Sequence, residues 1–212
     1  MPSSSPPASR AGTVGILVSG RGTNLQALLD AAARGRLGGR IAVVLSNVES
    51  APAIERARRA GVPALFRDHR GVPRAAFDRD LAGLLRGHGV DLVCLAGYMR
   101  LLSPGFVREF PGRVLNVHPS LLPAFPGLEA PRQALEYGVK VSGATVHVVD
   151  EGLDSGPVVL QEAVPVLPGD GVPELAARIL EAEHRIYPRA VRAFLEGRVR
   201  LGGGRRVLLE EP

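Results

Sequence analysis

Residues 13–33 read TVGILVSGRGTNLQALLDAAA. Thr13 to Val18 is a short β-rich run. Ser19-Gly20-Arg21-Gly22-Thr23-Asn24 breaks it, and Leu25 to Ala33 then follows helical periodicity and composition. Strand, glycine turn and helix open a βα unit. Two glycines let the backbone come close to a ligand. The helix N-terminus offers unpaired N–H groups and a positive dipole end, so the turn suits a phosphate. A tight βα turn with nothing bound reads the same way. The spacing is not the dinucleotide fingerprint, because Gly20-x-Gly22 is not followed by a glycine at Leu25.

The alternation continues outward from this unit. Ile41 to Leu45 is a second buried strand, and Ala51 to Ala60 a helix that Gly61 ends as a C-cap would. Pro63 to Phe66 is a short strand, and Pro73 to Arg86 a helix with Phe77, Leu81 and Leu84 on one face. Asp91 to Gly97 is apolar after its first residue, as a central parallel strand should be. Tyr98 to Leu102 follows, a short helix begins near Ser103-Pro104, and Arg113 to Val117 is the fifth strand. This order predicts an α/β fold with a mostly parallel twisted sheet, Rossmann-like in the N-terminal half and covered on both faces.

After Arg132 the rhythm changes. Pro131 to Gly138 is a short helix; Gly143 to Val149 and Pro157 to Val166 are β runs. The loop between those runs, Asp150 to Gly156, carries three acids and two glycines. Pairing across it predicts an antiparallel addition to the sheet. Pro173 to Leu195 is a long helix, and Val199 to Leu209 a terminal hairpin around Gly202-Gly203-Gly204. The expected organisation is a disordered Ser/Pro-rich tail over 1–12, one domain over 13–200, and a hairpin or tail over 201–212. No internal repeat or linker divides it.

The 212-residue length fits one domain, and 45% hydrophobic content supports a real core. Aromatics are only 4%, so aliphatic side chains must build it. No apolar run approaches the ~20 residues of a membrane span, and the N-terminus lacks the basic and apolar regions of a signal peptide. The one cysteine, Cys94, sits in the apolar run LVCLAG and reads as a buried inert thiol in a cytoplasmic protein. The net charge is +5. Basic residues are scattered and stacking aromatics few, which argues against nucleic acid. A small anionic substrate explains a positive surface equally well. Of 26 basic residues only Lys140 is lysine, which excludes a glycine-lysine phosphate loop.

The chemistry centres on Val114 to Gly127, VLNVHPSLLPAFPG. Asn116 and His118 are two apart, so in a strand they share one face. They fall at the C-terminal end of a strand, where open α/β sheets bind ligands. Pro119, Pro123 and Pro126 restrict the loop that follows. Asn116 reads equally as a turn cap, and His118 as a structural histidine. Gathered with His147 and Asp154, the pair can do acid/base work and stabilise an oxyanion, which suits acyl transfer. Asp154 beside His118 is expected to favour the imidazolium. No serine or cysteine stands as a nucleophile beside this histidine, so direct transfer to a substrate amine is expected. The five histidines form no i, i+4 pair and there is no cysteine cluster, so no metal site is expected.

Asn116-x-His118-Pro119-Ser120-Leu121-Leu122-Pro123, then Gly143-x-Thr145-Val146-His147 and Asp150-x-x-Leu153-Asp154-x-Gly156-Pro157, resemble the formyltransferase family that uses 10-formyltetrahydrofolate. Ser19-Gly20-x-Gly22-Thr23-Asn24-Leu25-Gln26 resembles the branch that formylates phosphoribosylglycinamide (GAR) in purine synthesis, as do Leu95 to Arg100, Phe125-Pro126-Gly127 and Glu183-His184-x-x-Tyr187-Pro188. The similarity runs from about residue 13 to 200.

The resemblance implies the formyltransferase fold, 10-formyltetrahydrofolate as cosubstrate and no metal. Asn116 and His118 would polarise the formyl group and Asp154 would take part in proton transfer, with His147 in support. Gly22, Thr23 and Asn24 would hold the GAR phosphate, and Glu183 its ribose or amide region. Folate would lie against Met99, Arg100, Leu101, Leu102, Asn116 and the Asp150 to Asp154 loop, with Arg74 a further contact. Partners would be GAR and formyl-folate, with no nucleic acid or membrane, in a monomer or homodimer. One departure stands out: Glu129 and Pro131 replace two histidines common in this family. Formyltetrahydrofolate deformylase would use the same residues on water, but resembles this chain with an added N-terminal regulatory domain. Methionyl-tRNA formyltransferase would add a C-terminal tRNA-binding domain. The non-enzymatic alternative is an inactive phosphate-ligand binding module.

Overall fold

A computed structural model of the chain describes residues 12–210. The expected tail lies outside the described residues, apart from Gly12, which opens the first strand. The elements run β1 (Gly12–Val18), α1 (Thr23–Ala33), β2 (Gly39–Ser46), α2 (Pro52–Arg59), β3 (Ala64–Phe66) and α3 (Arg74–Gly87). Then come β4 (Leu92–Leu95), α4 (Pro104–Glu109), β5 (Val114–His118), α5 (Ala130–Tyr137), β6 (Val141–Val148), β7 (Val158–Pro165) and α6 (Val172–Leu195). A separate hairpin, β8 (Val199–Leu201) with β9 (Val207–Leu209), follows.

The main sheet has seven strands in the order β3-β2-β1-β4-β5-β6-β7. Strands β1 to β5 pair in parallel; β6 and β7 are added antiparallel, as expected from the change of rhythm. Strand order reverses between β1 and β4, and such a switch point leaves a crevice beyond the carboxyl ends of the strands.

Alternation along β1 builds both cores. Val14, Ile16 and Val18 face the layer of α1, α2 and α6, while Leu17 faces α3 and α4. Tyr187 of α6 is fully buried, and its hydroxyl lies 2.9 Å from the Leu95 carbonyl and 3.1 Å from that of Leu115. The long helix is thereby fixed to the ends of β4 and β5, beside the crevice.

Helix α1 starts at Thr23, two residues ahead of its apolar pattern. Gly22 is left-handed, φ +71°, and its carbonyl already accepts from the Gln26 N–H at 2.9 Å. A Cβ at Gly22 would also lie 2.7 Å from that of Ala53. The chain can therefore turn into the helix only with glycine there. Among the described residues no helix is long and apolar enough to cross a membrane.

Candidate active site

Strands β1, β4 and β5 deliver their C-terminal residues to one crevice. At the end of β1, the first turn of α1 presents Thr23 and Asn24. The turn is held from α2: Ala53 N–H donates to the Gly20 carbonyl at 3.2 Å. Arg56 donates through Nε to the Arg21 carbonyl at 2.9 Å and through Nη1 to Gln26 Oε1 at 3.1 Å. Asn24 Nδ2 donates to Glu183 Oε2 at 2.7 Å, while Asn24 Oδ1 is enclosed with no hydrogen-bond partner. Burial pushes the Glu183 carboxyl up to about 7, the Asn24 hydrogen bond pulling the other way.

The end of β4 leads into the segment 97–103. Ser19 N–H donates to the Gly97 carbonyl at 3.1 Å, and Met99 N–H to Ser19 Oγ at 2.9 Å. Ser19 Oγ in turn donates to Asn47 Oδ1 at 2.6 Å. The buried Asp78 of α3 accepts from the Ser103 N–H at 2.6 Å, closing the far end of the segment. Between these anchors Met99 and Leu101 are exposed. Arg100 lies 5.3 Å over the Phe77 ring, its Nε enclosed without a partner. Arg74 opens α3 at the surface, one turn before Phe77.

On β5, Asn116 and His118 share a face, as the spacing predicts. Asn116 is opposite His147 of β6, and their Nδ2 and Nε2 atoms are 3.2 Å apart. His147 Nδ1 is 3.2 Å from the Val148 carbonyl, which assigns the proton to Nδ1. Nε2 then accepts from Asn116, fixing which way the carboxamide faces. His118 is buried; its Nε2 donates to the Phe125 carbonyl at 2.8 Å, and Nδ1 is 3.3 Å from Asp154 Oδ2.

The loop after β6 turns back to bring Asp154 to both histidines, its Oδ1 being 3.6 Å from His147 Nε2. Asp154 is left-handed, φ +47°, a strained setting that aspartate tolerates better than most residues. Gly127 N–H donates to its Oδ2 at 2.8 Å. Asp150 organises the same loop, its Oδ1 accepting from the Gly152 N–H at 3.0 Å and the Ser155 hydroxyl at 2.6 Å. The proline-rich loop after His118, with Leu122-Pro123 cis, is tied to the sheet by Thr145. Thr145 Oγ1 donates to the Ser120 carbonyl at 2.7 Å and accepts from the Leu122 N–H at 3.0 Å.

One expectation is reversed. Burial lowers the His118 pKa and outweighs both the Phe125 carbonyl and Asp154, so the ring is held neutral rather than as the imidazolium. Burial acts to raise the Asp154 pKa, but the neighbouring histidines and the Gly127 N–H prevail and keep it low. With His118 Nε2 donating to Phe125, a neutral ring turns the Nδ1 lone pair toward the carboxylate. A proton entering between Nδ1 and Oδ2 is shared by the pair, which titrates as a unit.

The structure thus gathers Asn116, His118, His147 and Asp154, and separately joins Asn24 to Glu183 beside the glycine turn. Glu129 pairs outward with Arg132 at 2.6 Å, and Pro131 lies in the first turn of α5. Cys94 is buried, and burial pushes its thiol up to about 12. Sequence reasoning gave no part to Arg56 or Asn47. Their roles arise from folding, without a local signal. Among the described residues no group of three His, Cys, Asp or Glu side chains is placed to hold a metal ion.

A family model for formyl transferases matches residues 13–191. The chain belongs to the formyl transferase family. Within that family it is 44% identical over 191 residues to phosphoribosylglycinamide formyltransferase of Escherichia coli, covering 88% of each chain. It superposes on glycinamide ribonucleotide transformylase 1 of Symbiobacterium toebii with a TM-score of 0.94, at 57% identity and 96% coverage of each chain. It is also 47% identical over 190 residues to the trifunctional purine biosynthetic protein adenosine-3 of Drosophila pseudoobscura pseudoobscura. The chain spans 14% of that longer relative's length.

Proposed function

We propose that this formyl transferase moves the formyl group of 10-formyltetrahydrofolate onto the amine of GAR, in purine biosynthesis. The bacterial relatives, a phosphoribosylglycinamide formyltransferase and a glycinamide ribonucleotide transformylase, support GAR as the acceptor. The observation that carries the reading is one crevice with two unlike halves. One half holds a helix N-terminus and a buried acid beside Asn24. The other holds Asn116, His118 and Asp154 next to the exposed apolar segment 99–101.

The GAR phosphate sits on the N–H groups of Gly22, Thr23 and Asn24. Glu183 and the free Asn24 Oδ1 take its ribose hydroxyls or amide. The folate lies against Met99 to Leu102 and the loop from Asp150 to Asp154, with Arg74 at the rim. Asn116 donates a hydrogen bond to the formyl oxygen, and His118 joins it as a donor once its Nδ1 has taken up a proton. The GAR nitrogen attacks the formyl carbon, and charge develops on that oxygen as the tetrahedral centre forms. The bond from carbon to the folate N10 then breaks. The proton lost by the amine is the proton N10 gains, and the His118–Asp154 pair carries it, directly or through water. A neutral His118 is suited to accept it, and Asp154 stabilises the cation that results. His147 holds the Asn116 carboxamide in its donating orientation. The enzyme works in the cytosol as a monomer or homodimer.

The test is tetrahydrofolate release from 10-formyltetrahydrofolate with and without GAR. Release that requires GAR is expected. Release without it would replace this reading by hydrolysis to formate. GAR binding without release would leave only a phosphate-ligand binding module.

A further inference from the structure

A cavity of about 590 Å³ lies between the outer faces of α1 and α6. Its lining holds six arginines, Arg34, Arg36, Arg56, Arg185, Arg189 and Arg192, against one carboxylate, Asp30. That is six of thirteen lining residues in a chain where 25 of the 26 basic residues among 212 are arginine. The arginine bias of the chain therefore does not explain it. The excess of five positive charges equals the formal net charge of the whole chain, +5.

Three of these guanidiniums are partly neutralised. Arg34 lies 3.8 Å from Asp30, Arg192 is 2.6 Å from Glu196, and Arg185 pairs with Glu162. Arg36, Arg56 and Arg189 have no carboxylate partner among the described residues. Arg56 is held in place by two neutral acceptors, so its charge is positioned but not cancelled. His184 lines the same cavity, and its Nε2 is enclosed with no hydrogen-bond partner.

The cavity borders Thr23 at one end and Arg34 and Arg36 at the other. The eleven residues of α1 between them span about 16 Å. An anion held at the Arg34 and Arg36 end is therefore clear of Thr23 and the glycine turn. Planar guanidiniums match phosphate oxygens two at a time.

We propose that this cavity is a second anion site, built for a small molecule carrying a diphosphate or two phosphate groups. It lies beside the glycine turn and is filled independently of it. Glu183 and Asn24, which face the crevice, take no part.

The probe is inorganic pyrophosphate, titrated calorimetrically into the full chain with and without saturating GAR. One pyrophosphate per chain is expected in both conditions. The exposed double variant Arg36→Ala/Arg189→Ala should weaken binding by about tenfold or more while leaving the KM for GAR unchanged. Arg189→Glu should weaken it further. Loss of the pyrophosphate signal on adding GAR would assign the anion to the glycine turn and overturn the proposal. So would no binding at all, or a double variant that binds as the parent does. GAR binding is read in the same titrations, so failure of the GAR reading is seen separately, and the variants still decide the cavity.

Discussion

Asn24 and Glu183, 159 positions apart, meet through a 2.7 Å hydrogen bond beside the glycine turn. The contact joins the first turn of α1 to the middle of α6 and leaves a buried acid at the substrate crevice. Nothing in the local sequence of either helix announces it.

That acid gives the first prediction. Burial raises the Glu183 pKa from 4.5 to about 7. The folded chain therefore binds more protons than the unfolded chain between those values. Its contribution to stability is fully present below pH 4.5 and is lost as pH rises through 7. The shift corresponds to at most about 3 kcal/mol. Glu183→Gln keeps the neutral form at every pH. Thermal melts should show the variant gaining several degrees over the parent at pH 8 and little at pH 4.5. The same variant should raise the KM for GAR. A parallel pH dependence in both proteins would remove the buried-acid account.

A second prediction concerns Asp154→Asn. The amide keeps the size of the side chain but cannot share a proton with His118 Nδ1. Turnover should fall on the order of a hundredfold or more, with GAR binding retained. The lowered pKa of Asp154 stabilises the fold above the ordinary carboxylate range and is lost as pH falls through its folded value. The variant should therefore also lose part of the parent's acid sensitivity in melts. Turnover close to the parent's would sink the proton-transfer role.

Asn116→Ala tests oxyanion stabilisation. One donor is removed where charge develops, at a cost of about 3 kcal/mol in the transition state. Single-turnover rates at saturating substrates isolate that step. His147 should lose its acceptor role without moving, since Val148 still holds its ring. An unchanged rate constant would exclude Asn116 from the reacting centre.

How far the sequence reaches depends on which forces place a residue. Strands β1, β4 and β5 are legible because each is buried on both faces, so its apolar run is nearly continuous. Asn116 and His118 are legible together because the strand period is two and the pair ends a strand. The motif resemblance adds Asp154, whose approach depends on a loop that turns back on itself with Gly156 in contact with the Val148 carbonyl. The charge state of His118 is not legible. An acid gathered beside the histidine suggests a cation, and the depth of burial, a property of the packed sheet, decides otherwise. The hold of Arg56 on the glycine turn is hidden for a similar reason: α2 reaches the turn only after β2 has paired with β1.

Ser19 carries the last prediction, since it touches both halves of the crevice. Its hydroxyl accepts from the Met99 N–H and donates to Asn47, while its own N–H holds Gly97. Removing the hydroxyl leaves Met99 N–H and Asn47 Oδ1 without these partners, at about 1–2 kcal/mol. The segment from Met99 to Leu102 then loses its nearest anchor at one end, and keeps the Ser19 N–H to Gly97 bond behind it and the Asp78–Ser103 bond at the other. Ser19→Ala should raise the KM for 10-formyltetrahydrofolate roughly tenfold, as that energy implies, with kcat within about twofold of the parent. GAR affinity, measured calorimetrically, should change less, because the turn is also held by Arg56 and Ala53 from α2. Ser19→Thr keeps a hydroxyl at the same position and should restore most of the folate KM. A KM for folate that does not respond to the loss of the hydroxyl would mean that the segment is set by the Gly97 and Asp78 anchors alone.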